Sequence, residues 1–170
     1  MEKIVIIGNS GSGKTHLGRI LSDHFDYQFI HLDALFWEPG GFNIKRPKEI
    51  VYAEIANLRQ NKNWIVEGVF GELAKEFYPY ADYLIWLDQD WETCSKSLRQ
   101  RGSESSKQLD KQSAEENLEK LLKWASEYWQ REGPSSYRGH LLLFEQFSGD
   151  KVCLQSRKSV NDFIASIIGV

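Results

Sequence analysis

The chain has 170 residues, a net charge of -3, 41% hydrophobic and 13% aromatic residues, and six tryptophans. That composition supplies one buried core and excludes a disordered chain. A sequence pI near 5.8 gives no overall basic field for DNA or anionic lipid. Cys94 and Cys153 have no metal-ligand spacing and read as reduced thiols, and no apolar run is long enough for a signal-peptide core or a membrane span. The expectation is a soluble cytoplasmic protein.

Lys3 to Ile7 is an unbroken β-branched run, as a parallel strand covered on both faces requires. A glycine-rich turn follows, and His16 to Phe25 has helical spacing through Leu17, Ile20 and Leu21. Tyr27 to Leu32 is a second strand. Asp33 to Arg46, with Pro39, Gly40 and Gly41, reads as an irregular excursion. Pro47 opens a helix to about Arg59 with Ile50, Ile55 and Leu58 inward. Trp64 to Glu67 and Tyr83 to Leu87 are the third and fourth strands, and Asp90 caps a helix reaching Arg99. Gly102 to Gln112 is a polar, mobile loop, and Ala114 to Gln130 an amphipathic helix. Lys151 to Leu154 and Val160 to Ile168 close the chain as strand and helix. Strands alternating with helices make βαβ units: an α/β fold with a parallel sheet, its functional loops gathered at the carboxyl ends of the strands.

Gly8-Asn9-Ser10-Gly11-Ser12-Gly13-Lys14-Thr15 fits the spacing of a phosphate-binding P-loop. Its glycines admit positive φ, so successive N–H groups can point at phosphate oxygens, and the following helix adds its positive end beside His16. Lys14 would reach the β- and γ-phosphates of ATP, and the Thr15 hydroxyl would ligate Mg²⁺.

Asp33, at the end of the second strand, could accept a proton from an acceptor hydroxyl or hold Mg²⁺ through water; the alternative is a turn cap. Glu67, ending an apolar strand before Gly68, resembles a Walker B carboxylate; the alternative is an edge carboxylate in solvent. Lys96, Arg99 and Arg101 precede the polar loop, and Arg131 and Arg138 follow it. Arginines able to close over ATP would neutralise the transferring phosphoryl group, although each alone also suits a solvated surface. Phe36, Trp37 and Phe42 could stack on an acceptor ring or belong to the core. No Ser-His-Asp arrangement and no zinc-like histidine spacing competes.

These residues together resemble the adenylate-kinase-related P-loop proteins of bacteria often called DNA topology modulation proteins. The likeness rests on Ile4 to Thr15, His31 to Trp37, Trp64 to Gly68, Tyr83 to Asp88 and Lys151 to Phe163. It implies a nucleoside-monophosphate-kinase-like fold with a five-stranded parallel core (1–33, 64–101 and 151–170), an acceptor-binding segment (34–63) and a lid (102–138). It further implies that Arg46 touches an acceptor phosphate, that Glu67 and Gly68 border the acceptor, and that Ser156 to Lys158, with Arg157 among them, borders the adenine. The chain departs from adenylate kinases at Glu67-Gly68-Val69-Phe70-Gly71, where Asp-Gly-Phe-Pro-Arg is the related pattern. The activity implied is transfer of the γ-phosphoryl of Mg-ATP to a small acceptor such as a nucleotide. A slow or non-catalytic ATP-binding regulator is the alternative, and direct DNA binding is a weaker third that finds no basic arm to support it. Oligomeric state is open.

Overall fold

The computed structural model describes residues 1–39, 44–102 and 111–169. Five parallel strands, β1 (Lys3–Gly8), β2 (Gln28–His31), β3 (Trp64–Gly68), β4 (Tyr83–Leu87) and β5 (Asp150–Leu154), lie in the order β2-β3-β1-β4-β5. The helices are α1 (Lys14–Phe25), α2 (Leu32–Phe36), α3 (Lys48–Leu58), α4 (Gly71–Lys75), α5 (Trp91–Arg101), α6 (Lys111–Ser126), α7 (Tyr137–Gln146) and α8 (Arg157–Ile168).

The side-chain alternation of β1 sorts the core into two layers. Val5 and Ile7 join Ile30, Trp64, Val66, Leu84 and Trp86 beneath α3, α4 and α7. Ile4 and Ile6 join Ile65, Ile85, Leu87 and Leu154 beneath α1 and α8, through Leu17, Leu21 and Val160. A smaller cluster of Leu98, Leu122 and Ala125 packs α6 on α5. Each fully buried aliphatic side chain of this kind stabilises by about 1.5–3 kcal/mol.

Three local expectations differ from the structure. The segment after β2 is not irregular throughout: Leu32 and Leu35 turn inward and make α2. In α3 the inward stripe is Val51, Ile55 and Leu58, one helical face at spacings of four and three, and Ile50 falls off it at 53% exposure. An unforeseen helix, α7, fills the stretch before β5, opened by Ser136, whose Oγ accepts from Gly139 N at 3.0 Å. The expected cap at Asp90 is present, with Oδ1 accepting from Thr93 N at 2.7 Å. α6 begins at Lys111 and passes into a 3₁₀ turn at Glu127–Trp129. The expected polar loop lies, from 103 to 110, outside the described residues, as does Phe42.

Candidate active site

The β1–α1 turn sits at the carboxyl edge of the sheet. Its glycines take conformations that L side chains rarely adopt: φ is +150° at Gly8, +80° at Gly11 and +102° at Gly13. Space is closed as well. A Cβ at Gly8 would lie 2.6 Å from the Leu87 carbonyl oxygen, and one at Gly11 would lie 2.3 Å from that of Cys94. Within the turn Ser12 N donates to Asn9 O at 3.2 Å and Lys14 Nζ donates to the same carbonyl at 2.8 Å. Asn9 joins the turn to α6, its Nδ2 donating to Ala125 O at 2.9 Å. The turn opens on a cavity of about 600 Å³ lined by Gly11, Gly13, Thr15, His16 and Arg101, with Arg157 across it. The Arg157 guanidinium donates to Ser97 Oγ at 2.5 Å and reaches Gly11 O and Ser12 O at 3.4 Å each.

Parallel register puts Glu67 beside Ile6 and His31 beside Glu67, all at the edge where the turn lies. Thr15 Oγ1 donates to Glu67 Oε1 at 2.8 Å. His31 Nδ1 also contacts Glu67 Oε1, and His31 Nε2 lies 3.5 Å from Asp33 Oδ2. Asp33 opens α2 directly after β2. The charges of this cluster settle one another. Burial opposes the charge of Glu67, but the His31 hydrogen bond and the Lys14 ammonium outweigh it and hold the carboxyl below its ordinary range. Burial likewise opposes His31, and the bond to Glu67 with the fields of both carboxylates raises its pKa. Asp33 is pushed up chiefly by burial, against the pull of His31. Burial lowers Lys14 despite Glu67 and Asp33.

Glu67 Oε2 and Ser12 Oγ are buried in this cluster with neither a hydrogen bond nor an ion-pair contact. A carboxylate oxygen 1% exposed as a residue and left unpaired beside a threonine hydroxyl suits a hard cation that takes oxygen ligands. The fit to Mg²⁺ held with triphosphate oxygens is therefore good.

A second cavity, of about 350 Å³, lies on the other side of Arg101. Ser10, Asp33, Phe36, Trp37, Phe70 and Trp124 line it, and Lys45 and Lys120 stand at its walls. Trp37 and Lys45 form an antiparallel bridge that brings the chain back over α2. Adjoining it is a cavity of about 480 Å³ that shares Phe36, Lys45, Phe70 and Trp124.

The remaining arginines are distributed otherwise. Arg46 lines the adjoining cavity, held by Leu35 O at 3.1 Å and Glu54 Oε2 at 2.7 Å. Arg131 donates to Ser135 O at 2.6 Å and stacks over Trp124 at 3.6 Å. Arg99 faces solvent, its Nη1 3.7 Å from Glu119 Oε1. Arg138 lines a separate cavity between α4 and α7 with Gly71, Lys75 and Gly139, so its expected place over the P-loop is not where the fold puts it. Gly68 is closed against Leu32, which a Cβ would meet at 2.7 Å, and is not among the residues lining these cavities. His31, Phe70 and Trp124 were not singled out from sequence as site residues. For His31 a signal existed, a titratable residue two positions before Asp33 at a strand's carboxyl end.

A buried strand, a glycine turn closing on its own lysine, and a hydroxyl set against a hidden carboxylate define a P-loop domain. The chain belongs to the AAA domain family, whose model matches residues 4–121. It is 29% identical over 102 residues to a shikimate kinase of Gloeobacter violaceus, a match spanning 53% of this chain and 58% of that protein. The chain thus matches little more than half the length of that curated relative. Among solved structures, the shikimate kinase from Acinetobacter baumannii in complex with shikimate superposes with TM-score 0.56 at 16% identity, covering 99% of this chain and 91% of that one. A gluconokinase from Sinorhizobium meliloti gives TM-score 0.51 at 15% identity, with 99% and 94% covered. The shared fold is the five-stranded parallel sheet flanked by helices that P-loop kinases use. Among the described residues no helix is long and apolar enough to cross a membrane.

Proposed function

We propose that the protein is a Mg-ATP-dependent phosphotransferase that moves the γ-phosphoryl group to a hydroxyl of a small acceptor. One observation carries the reading: the phosphate cradle and the aromatic cavity meet at Arg101, which lines both, with Asp33 facing the second. Two substrates bound in these cavities would be joined where a cation and a carboxylate already stand. The kinase names of the proteins compared above support the class of reaction.

In this reading the amides of Asn9 to Lys14 and the Lys14 ammonium bind the β- and γ-phosphates. Thr15 and Glu67, with Asp33 through water, would hold Mg²⁺, which when bound would offset the negative charge of the phosphates. Asp33 takes the proton of the acceptor hydroxyl as its oxygen attacks phosphorus. The bond from phosphorus to the β–γ bridging oxygen breaks, and ADP leaves. Arg101 stabilises the equatorial charge, and Arg157 borders the nucleotide. His31 holds Glu67 and Asp33 in register. The described residues of segment 34–63 serve the acceptor, and those of 102–138 belong to the lid.

Lys14→Ala is expected to lower turnover by about 10²–10³-fold, the usual cost of losing one transition-state charge contact. ATP consumption equal to the unaltered protein would refute the assignment. The rival reading, an ATP-responsive regulator, draws on Phe70 and Gly71 standing where adenylate kinases have proline and arginine. Radiolabelled ATP separates the two: a regulator binds nucleotide and labels no acceptor. The likeness of His31 to Trp37 to the bacterial DNA topology modulation proteins supports membership of that branch.

A further inference from the structure

We infer that the aromatic cavity beside Arg101 takes an acceptor of one chemical class: a flat, unsaturated ring that carries an anionic group as well as the hydroxyl. This rests on the phosphotransfer reading for the word acceptor, but the binding claim stands on the cavity itself. Phe36 and Phe70 stack at 4.1 Å between centroids with an 18° angle, and Trp37 meets Phe36 edge-on at 4.7 Å. Phe36 and Phe70 are half-buried against the main core, Trp37 is half-buried beside them, and all three line the cavity. Trp124 comes to the same cavity from α6 and is braced by the Arg131 guanidinium stacked on it. Three mutually contacting rings and a fourth braced by Arg131 line one space and hold their shape without a ligand, so little side-chain order is lost when a ring enters. A flexible polyol would leave this aromatic surface unmatched.

Charge selects further. The described lining has three cations, Lys45, Arg101 and Lys120, against the single carboxylate of Asp33. Lys45 Nζ lies 5.5 Å over the Phe36 ring, and neither Lys45 nor Lys120 has an ion-pair partner among the described residues. Apart from the shared Lys45, the cations of the adjoining cavity are committed: Arg46 to Glu54, Lys48 to Glu72 at 3.5 Å, and Arg131 to Ser135 O. Lys45 and Lys120 are thus the ones that meet a ligand's anion, while Asp33 and Arg101 mark the reacting end. At about 350 Å³ the cavity holds one ring system with its substituents.

Calorimetry on the full chain without ATP tests this, with adenosine 5′-monophosphate and 4-hydroxybenzoate as ring anions. Adenosine supplies a ring without an anion, and ribose 5-phosphate and gluconate supply anions without a ring. Ring anions should bind at least about tenfold tighter than either control, and the double variant Lys45→Glu, Lys120→Glu should lose that margin. Both lysines are exposed, so the variant should keep its circular dichroism spectrum. Equal affinity for gluconate, or an unchanged margin in the variant, would overturn the inference. Mg-ATP binding is measured alongside. Its failure with ring anions still bound would sink phosphotransfer alone, and its success with no ring anion bound would sink this inference alone.

Discussion

His140 is wholly buried in α7 between two partners, Val69 O at 2.9 Å from Nε2 and Tyr128 Oη at 2.7 Å from Nδ1. A carbonyl only accepts, so Nε2 carries the hydrogen and Nδ1 receives the Tyr128 hydroxyl. Tyr128 in turn accepts from Trp86 Nε1 at 3.4 Å. Every polar atom of the imidazole is satisfied in its neutral form, and burial drives its pKa down to about 3. Because the folded pKa lies below the unfolded value near 6.5, the unfolded chain binds the extra proton. Stability is therefore unaffected above about pH 6.5 and falls as pH drops toward 3, by on the order of 2–3 kcal/mol at pH 4.5. Urea unfolding at pH 7 and pH 4.5 should show His140→Gln less stable at neutral pH but with a shallower acid loss. Parallel losses in both proteins would place the acid sensitivity elsewhere. At the phosphate turn, Glu67→Gln should weaken Mg²⁺-dependent binding of ATP more than metal-free binding, because the orphaned Oε2 loses its charge. Equal effects with and without Mg²⁺ would contradict the metal assignment.

Among the elements, α7 shows what a sequence hides. Gly133, Pro134 and Gly139 are poor helix formers in a stretch the sequence left unassigned, yet Gly139 stands inside the helix, where the chain before it passes close. A Cβ there would lie 2.3 Å from Gly133 O, and that carbonyl is held by Ser136 Oγ at 2.7 Å. Alanine gains up to about 1 kcal/mol of helix propensity, but overpacking against fixed backbone costs about 1–3 kcal/mol. Gly139→Ala should therefore destabilise, read as a lower urea midpoint at unchanged slope; a higher midpoint would show that the loop yields freely. Lys151 shapes the other end of α7, donating to Phe144 O, Glu145 O and Phe147 O at 2.8–3.1 Å. The strands were legible because each is a short apolar run with its own boundary. The phosphate turn was legible because its residues are contiguous. The aromatic cavity beside Arg101 was not, since Asp33, Phe70, Arg101 and Trp124 come from four separate segments and only the fold brings them together. Ile50 was misplaced for a simpler reason: the hydrophobic stripe of α3 is fixed by where the helix begins.

At the scale of the molecule, two cavities flank Arg101, and a ligand in the first should steady the whole domain. Saturating Mg-ATP at about 100 times its dissociation constant adds about 2.7 kcal/mol, which in a chain of this size raises Tm by on the order of 5–10 °C. Lys14→Ala should show little of that rise in a thermal-shift experiment. A full rise in the variant would detach nucleotide binding from the turn.

Asn9 has a wider reach than its place in that turn suggests. Its amide nitrogen holds Ala125 O, 116 positions along the chain, near the end of α6. The grip on phosphate and the far helix are hitched together by one side chain. Filling the cradle should accordingly slow deuterium uptake along α6, with Asn9→Ala severing the link: the nucleotide would still bind, and α6 would no longer register its arrival.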